Sequence, residues 1–145
     1  MMVTAILIDA GMGAEFPDLS RAGHTVQRLE AAGIDLPSVT DVVLTHIHMD
    51  HVGGLLVDGV RDRLRPDLRI HVAAAETKFW ESPDFSHVSM PPGFPDALRR
   101  TAKRFLQEYQ WTQSGHRAQY SDCGSHEIFA IRLPDTMYPE RKSQP

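Results

Sequence analysis

Four side chains of types that commonly bind transition metals fall within one short segment: His46, His48, Asp50 and His51. The segment follows the apolar run 42–44, which is typical of a buried strand. Residues two apart in extended backbone point the same way, so His46 and His48 are expected to face one spot. Imidazole nitrogen and carboxylate oxygen both suit zinc, and mixed sets leave positions for water. The spacing therefore predicts a metal site.

A chance polar turn between a strand and a helix is the alternative interpretation of this segment. Three histidines and an aspartate at this spacing make that alternative the weaker one. Asp50 also has a structural use, because a carboxylate at a helix start satisfies free amide groups and the helix dipole. Gly53 and Gly54 follow directly, and glycines there let backbone pack closely around the site.

The elements that must position this segment alternate between strand and helix. Short apolar runs predict strands at Ala5–Ile8, 42–44 and Arg69–Ala73. Apolar residues at helical spacing predict helices at 21–33, 51–57, 74–80 and 96–109. Four prolines and a glycine predict a loop at 82–95. This order predicts an α/β layer structure.

Bulk composition limits the partners. A length of 145 residues is about one domain, and the net charge of −4 gives no reason to expect a nucleic-acid partner. No apolar run approaches the roughly 20 residues that span a bilayer, so no membrane partner is expected. Cys123 is the one cysteine, so no internal disulfide can form, and a cytoplasmic location is predicted.

The segment His46-x-His48-x-Asp50-His51, with Gly53-Gly54 after it, resembles the signature of the metallo-β-lactamase superfamily. The run 7–11 is similar to that family's strand ending in Asp-x-Gly, and 34–43 to the stretch that leads into the signature. Residues 73–79 and the proline-rich loop resemble the branch with methyl parathion hydrolase and quorum-quenching lactonases. The resemblance implies a partial αββα sandwich over residues 1–110, followed by a divergent, irregular tail at 111–145.

The resemblance also implies a function and a role for each matching residue. In this superfamily the first two histidines bind one metal, here His46 and His48, and Asp50 with His51 binds a second. A hydroxide bridging two zinc ions attacks a carbonyl or phosphoryl centre, and Asp50 orients it. Asp9 and Thr45 match supporting positions. The implied activity is zinc-dependent hydrolysis of a small-molecule lactone, ester or phosphotriester.

The downstream part of the chain departs from the family pattern. The family supplies a further histidine from a loop, then a bridging aspartate and a last histidine. Residues 131–134 resemble the strand before that loop, but no histidine follows them. His116 and His126 are the candidate replacements. The sequence thus predicts a truncated member with uncovered apolar faces that favour self-association; the alternative is a catalytically inactive relic with weak or no metal binding.

Overall fold

A four-stranded sheet organises the part of the chain that the structure describes. The computed structural model describes residues 5–16 and 18–114. All strand pairs are parallel, and the strands lie side by side in chain order. These strands are β1 (Ala5–Ile8), β2 (Val39–Leu44), β3 (Arg69–Ala73) and β4 (Thr112–Ser114). Parallel neighbours need crossover connections, which the helices provide, so the α/β prediction is confirmed.

Among the described residues, the crossovers hold the α-helices α1 (Thr25–Ala31), α2 (Met49–Val52), α3 (Val60–Arg63), α4 (Ala74–Glu81) and α5 (Phe94–Glu108). A 3-10 turn over Gly53–Leu56 continues α2, and another at Leu36–Ser38 precedes β2. No helix among the described residues combines the length and apolar composition needed to cross a membrane.

Three predicted helix starts were wrong by a few residues, including that of α2, which begins at Met49 and not at 51. Helix α1 begins at Thr25, because Gly23 has left-handed backbone (φ 73°) and donates its N–H to the carbonyl oxygen of Met12 at 3.0 Å. The chain turns at Gly23, so residues before it cannot continue the helix. Helix α5 begins at Phe94, because Pro95 stands in its first turn, where a missing N–H costs nothing.

Strand β4 extends the sheet beyond residue 110, into the segment expected to be irregular. Its Thr112 and Gln113 lie opposite His71 and Val72 of β3. The side-chain amide of Gln113 donates to the Thr77 hydroxyl at 3.0 Å. A polar three-residue strand carries no apolar pattern, which is why sequence periodicity did not predict it. His116, His126 and residues 131–134, which resemble a strand of the family, lie outside the described residues.

The core lies between one face of the sheet and the helices. Alternate residues of β2 and β3 supply the sheet side: Val42, Leu44, Ile70 and Val72, all at most 2% exposed. Helix α5 buries Leu98, Ala102 and Phe105, as its amphipathic pattern predicts. Tyr109 donates its hydroxyl hydrogen to the Leu55 carbonyl at 2.6 Å, and burial raises the pKa of Tyr109 to about 12. That bond ties the end of α5 to the turn that follows the predicted metal-ligand segment 46–51.

The opposite face of the sheet carries a buried polar cluster centred on Asp41. Arg69 donates two hydrogen bonds to the Asp41 carboxylate, each 2.7 Å long, and His71 Nε2 lies 2.9 Å from Oδ1. Thr40 donates a further bond of 2.8 Å. Burial opposes ionisation of Asp41, but these bonds outweigh it and lower its pKa to about 2. Beside this cluster, Ile6 and Ile8 of β1 are 44% and 70% exposed.

Replacing Asp41 with asparagine is expected to lower the free energy of unfolding by about 1–3 kcal/mol, because bonds to a buried charge are lost. The exposed part of Arg69 stays hydrated and limits the loss. The pKa of Asp41 is lower in the folded state than in the unfolded chain. Wild type should therefore lose its stability advantage over Asp41→Asn as pH falls from 3.8 towards about 2. Urea unfolding of both proteins measures it, with exposed Asp67→Asn as control. Equal stability of wild type and Asp41→Asn at neutral pH would contradict the account.

Candidate metal centre

The candidate ligands lie at the carboxyl edge of the parallel sheet, where open α/β sheets place their ligand sites. Asp9 directly follows β1, the ligand-bearing segment follows β2, and Glu76 follows β3. The ends of β1, β2 and β3 therefore each deliver a carboxylate or an imidazole to the same edge. The sequence predicts only that Asp9 and the histidines follow strands, and Glu76 was not among its candidates.

The structure brings the predicted ligands together. The ring centroids of His46 and His51 lie 3.9 Å apart, and those of His46 and His48 lie 4.4 Å apart. Ligand atoms of His46, Asp50 and His51 all lie within 4.8 Å of one another. His48 adjoins this group of three without belonging to it. Asp50 is the most exposed of the ligands, with a side chain 54% accessible, so the cluster opens to solvent on its side.

The side chain of Asp9 anchors the segment 45–51 through contacts with Thr45 and His51. One carboxylate oxygen accepts the Thr45 backbone N–H at 2.8 Å. The other accepts the Thr45 hydroxyl at 2.8 Å and lies 2.9 Å from His51 Nδ1. Asp9 itself adopts left-handed backbone (φ 54°), an uncommon conformation for a residue other than glycine. Three hydrogen-bond contacts hold the Asp9 side chain in place. They favour a role in supporting the candidate ligands over the alternative that Asp9 only forms a turn.

The same contacts favour one hydrogen position on each imidazole. In neutral His51, Nδ1 donates to the acceptor-only Asp9 carboxylate, and the lone pair is on Nε2, which lies 3.3 Å from Asp50 Oδ2. The Thr45 hydroxyl donates its hydrogen to Asp9. Its oxygen therefore accepts a hydrogen bond from His46 Nδ1, which lies 3.1 Å away. The lone pair of His46 is then also on Nε2. A hydrogen-bond acceptor behind the imidazole, found here for His46 and His51, is the usual arrangement around histidine metal ligands.

Both leading histidines are neutral in the metal-free protein near neutral pH. Burial lowers the pKa of His46, and the neighbouring His51 and His48 lower it further. Burial also lowers the pKa of His48, with Glu76 and Asp50 acting in the opposite direction. A neutral imidazole is the form that binds a metal. The donor set of imidazole nitrogens and one carboxylate therefore fits a zinc ion in chemistry and in spacing.

The metal-free protein is expected to lose stability as pH falls below about 6.5, the ordinary histidine pKa. His46 and His48 have lowered pKa values in the folded state, so acid protonates the unfolded chain first and favours it. Urea midpoints between about pH 7.5 and pH 5.5 measure this dependence. The variant His46→Gln/His48→Gln should show a flatter profile. Identical profiles for the two proteins would contradict the assignment.

Glycines bring two loops into close contact beside the ligands. The Gly54 N–H donates to the Gly11 carbonyl at 2.9 Å, and the Ala10 N–H donates to the His51 carbonyl at 2.7 Å. A Cβ added at Gly53 would lie 2.2 Å from the backbone nitrogen of Gly13. The expectation that Gly53 and Gly54 permit close packing around the site is confirmed.

Comparisons with solved structures agree with this architecture. AidC, a dizinc quorum-quenching lactonase solved in complex with a product, is 25% identical, with a TM-score of 0.56. AbOPH, a hydrolase of the beta-lactamase superfamily, is 27% identical, with a TM-score of 0.55. The matches cover 83% and 80% of this chain but only 43% and 41% of those proteins. A comparison with curated protein sequences finds no significant match.

A family model gives the broadest match. The model for the metallo-beta-lactamase superfamily matches residues 4–117, a range that includes all four strands and every predicted ligand in the described residues. The partial sandwich expected from the sequence agrees with the parallel sheet and its helices. The chain therefore belongs to the metallo-beta-lactamase superfamily.

Proposed function

We propose that this chain carries part of the active site of a zinc-dependent hydrolase that cleaves a lactone, an ester or a phosphotriester. The observation that carries the proposal is the convergence of ligand atoms from His46, Asp50 and His51 within 4.8 Å. Hydrolysis is the reaction named for both solved relatives, and this chain spans about two fifths of their length. The activity, substrate and metal of the whole protein are therefore part of the proposal.

Each residue of the cluster has a distinct task in the proposed reaction. His46 and His48 would hold one zinc ion, and Asp50 with His51 a second. Zinc held there would supply Lewis acidity towards the attacked oxygen and would lower the pKa of water. The Asp50 carboxylate, exposed on the open side, would accept a hydrogen bond from the attacking water and orient it. Asp9 would keep His51 Nε2 directed at the site.

Aromatic side chains beside the ligands favour a substrate with an apolar part. The Trp80 ring meets His48 edge-on, with centroids 6.0 Å apart. Phe79 packs against Trp80 at 5.2 Å and is 39% exposed. An apolar acyl or aryl group lying on Phe79 would keep its reacting carbonyl or phosphoryl group close to His48. The lactonase AidC supports a lactone as the first substrate to test.

An assay with saturating zinc tests the proposal on an acyl-homoserine lactone and an aryl phosphotriester. Because the downstream ligands of the family are not matched in this sequence, turnover by wild type should be low, and His48→Ala or Asp50→Ala should abolish whatever exceeds background. His87→Ala removes an exposed loop histidine and serves as the matched control. Turnover that survives both site substitutions would refute the proposal. Metal binding without turnover would favour the alternative of an inactive relic.

The remaining expectations from the sequence stay predictions. These are a cytoplasmic location, the lack of nucleic-acid and membrane partners, and self-association through uncovered apolar surface. The exposed Ile6 and Ile8 of β1 are the surface that self-association would use.

A further inference from the structure

A carboxylate outside the expected ligand set contacts the middle of the ligand-bearing segment. Glu76 lies in the first turn of α4, and its Oε2 accepts the backbone N–H of Ile47 at 2.9 Å. Ile47 is fully buried, so water cannot replace that acceptor. The bond joins residues 29 positions apart and fixes the segment after β2 to the helix after β3.

The position of Ile47 makes this bond important for the ligands. Ile47 stands between His46 and His48, so the orientation of its peptide group helps to set the directions in which both imidazoles leave the backbone. Its side chain is held in the core, and its N–H is held by Glu76. A short ligand segment that is anchored on both sides cannot rotate to relax, which favours a fixed angle between the two rings.

The same oxygen also holds the aromatic neighbour of His48. Trp80, one helical turn after Glu76, directs its indole N–H at Oε2, 3.3 Å away. The Trp80 ring in turn meets the His48 ring at an interplanar angle of 81°. One carboxylate oxygen therefore restrains His48 in two ways, through the preceding peptide and through the ring that packs against it.

We propose that Glu76 is a positioning residue of the metal centre, which fixes the ligand geometry of His46 and His48 through the Ile47 amide and the Trp80 indole. The inference rests on the proposed function, because positioning matters only if these histidines bind a metal. Outer residues of this kind typically change metal affinity by about 10–100-fold.

Two substitutions separate position from charge. Glu76→Gln keeps an oxygen at the same reach and removes the charge, whereas Glu76→Asp keeps the charge and is too short to reach the Ile47 amide. Glu76→Asp should weaken cobalt binding by about 10–100-fold and change the visible absorption of the cobalt form. Glu76→Gln should restore most of the affinity and the wild-type spectrum. Exposed Glu81→Asp, on the same helix, is the control.

Hydrogen exchange at the Ile47 amide in the metal-free protein gives a second readout. Glu76→Asp should speed this exchange by about tenfold, as expected for one lost hydrogen bond, and Glu76→Gln should leave it protected. The proposal would be overturned if Glu76→Asp showed the exchange rate and the cobalt affinity of wild type. It would also be overturned if Glu76→Gln lost cobalt affinity while Glu76→Asp kept it. If wild type binds no cobalt, the proposed function fails, while the exchange comparison still decides whether Glu76 fixes the segment.

Discussion

Replacing Gly54 with alanine is expected to remove most of the stability of the protein. A Cβ at this position would lie 1.9 Å from the carbonyl oxygen of Ala10, which is backbone and cannot swing aside. That oxygen also accepts the Thr25 hydroxyl at 2.7 Å, so moving it breaks a further contact. A clash with backbone that cannot move costs more than an added methyl group usually does. We expect the free energy of unfolding to fall by about 3–5 kcal/mol.

Urea unfolding followed by circular dichroism measures the effect of Gly54→Ala. The matched control is Gly33→Ala, where an added Cβ meets nothing within 4 Å but the backbone is left-handed at φ 77°. The control should cost only the strain of that conformation, about 1–2 kcal/mol. If Gly54→Ala is no more destabilising than Gly33→Ala, the close approach of the two loops is not present in solution.

Asp9→Asn is expected to weaken zinc binding by about 10–100-fold while the fold persists. Asparagine tolerates the left-handed backbone at this position. The asparagine carbonyl oxygen can still accept the Thr45 N–H. The asparagine NH2 group, however, would donate a hydrogen bond to His51 Nδ1, whereas the Asp9 carboxylate of wild type accepts one from it. The hydrogen of His51 would then move to Nε2, and that nitrogen could not bind a metal.

Competition with a chromophoric chelator measures the zinc affinity of Asp9→Asn, and thermal unfolding checks that the variant is folded. Asp18→Asn removes the same charge from an exposed position and should bind zinc like wild type. Wild-type affinity in a folded Asp9→Asn protein would show that Asp9 does not determine the hydrogen position on His51.

Local patterns indicated the candidate metal centre because its predicted ligands lie in one short segment between a strand and a helix, and their binding of a metal stays a prediction. Strands β1 and β3 have the bounds expected from their apolar runs. Strand β2 begins three residues earlier than its apolar run, because Val39 and the polar Asp41 pair with β1 across a register shift at Thr40. An alternating or apolar pattern cannot reveal a strand whose polar residues are satisfied by a neighbouring strand.

Contacts between distant positions account for what the sequence did not predict. Glu76 reaches Ile47 across 29 residues, and Asp41 reaches His71 across 30. The signal for Glu76 was present in its placement, since it is an acid in the first turn after β3, at the same sheet edge as the histidines. Its partner is a backbone amide, which no residue pattern marks, so the contact could be found only from the fold.

Zinc titration of the metal-free protein by calorimetry tests most directly whether these residues form a metal centre. Wild type at neutral pH should bind at least one zinc ion per chain. The double variant His46→Ala/His51→Ala, which keeps Asp50 but loses two of the three converging ligands, should bind at least about 100-fold more weakly while keeping its helical circular dichroism. Wild type that binds no zinc, or a folded double variant that binds it equally well, would contradict the assignment of this cluster as the metal centre.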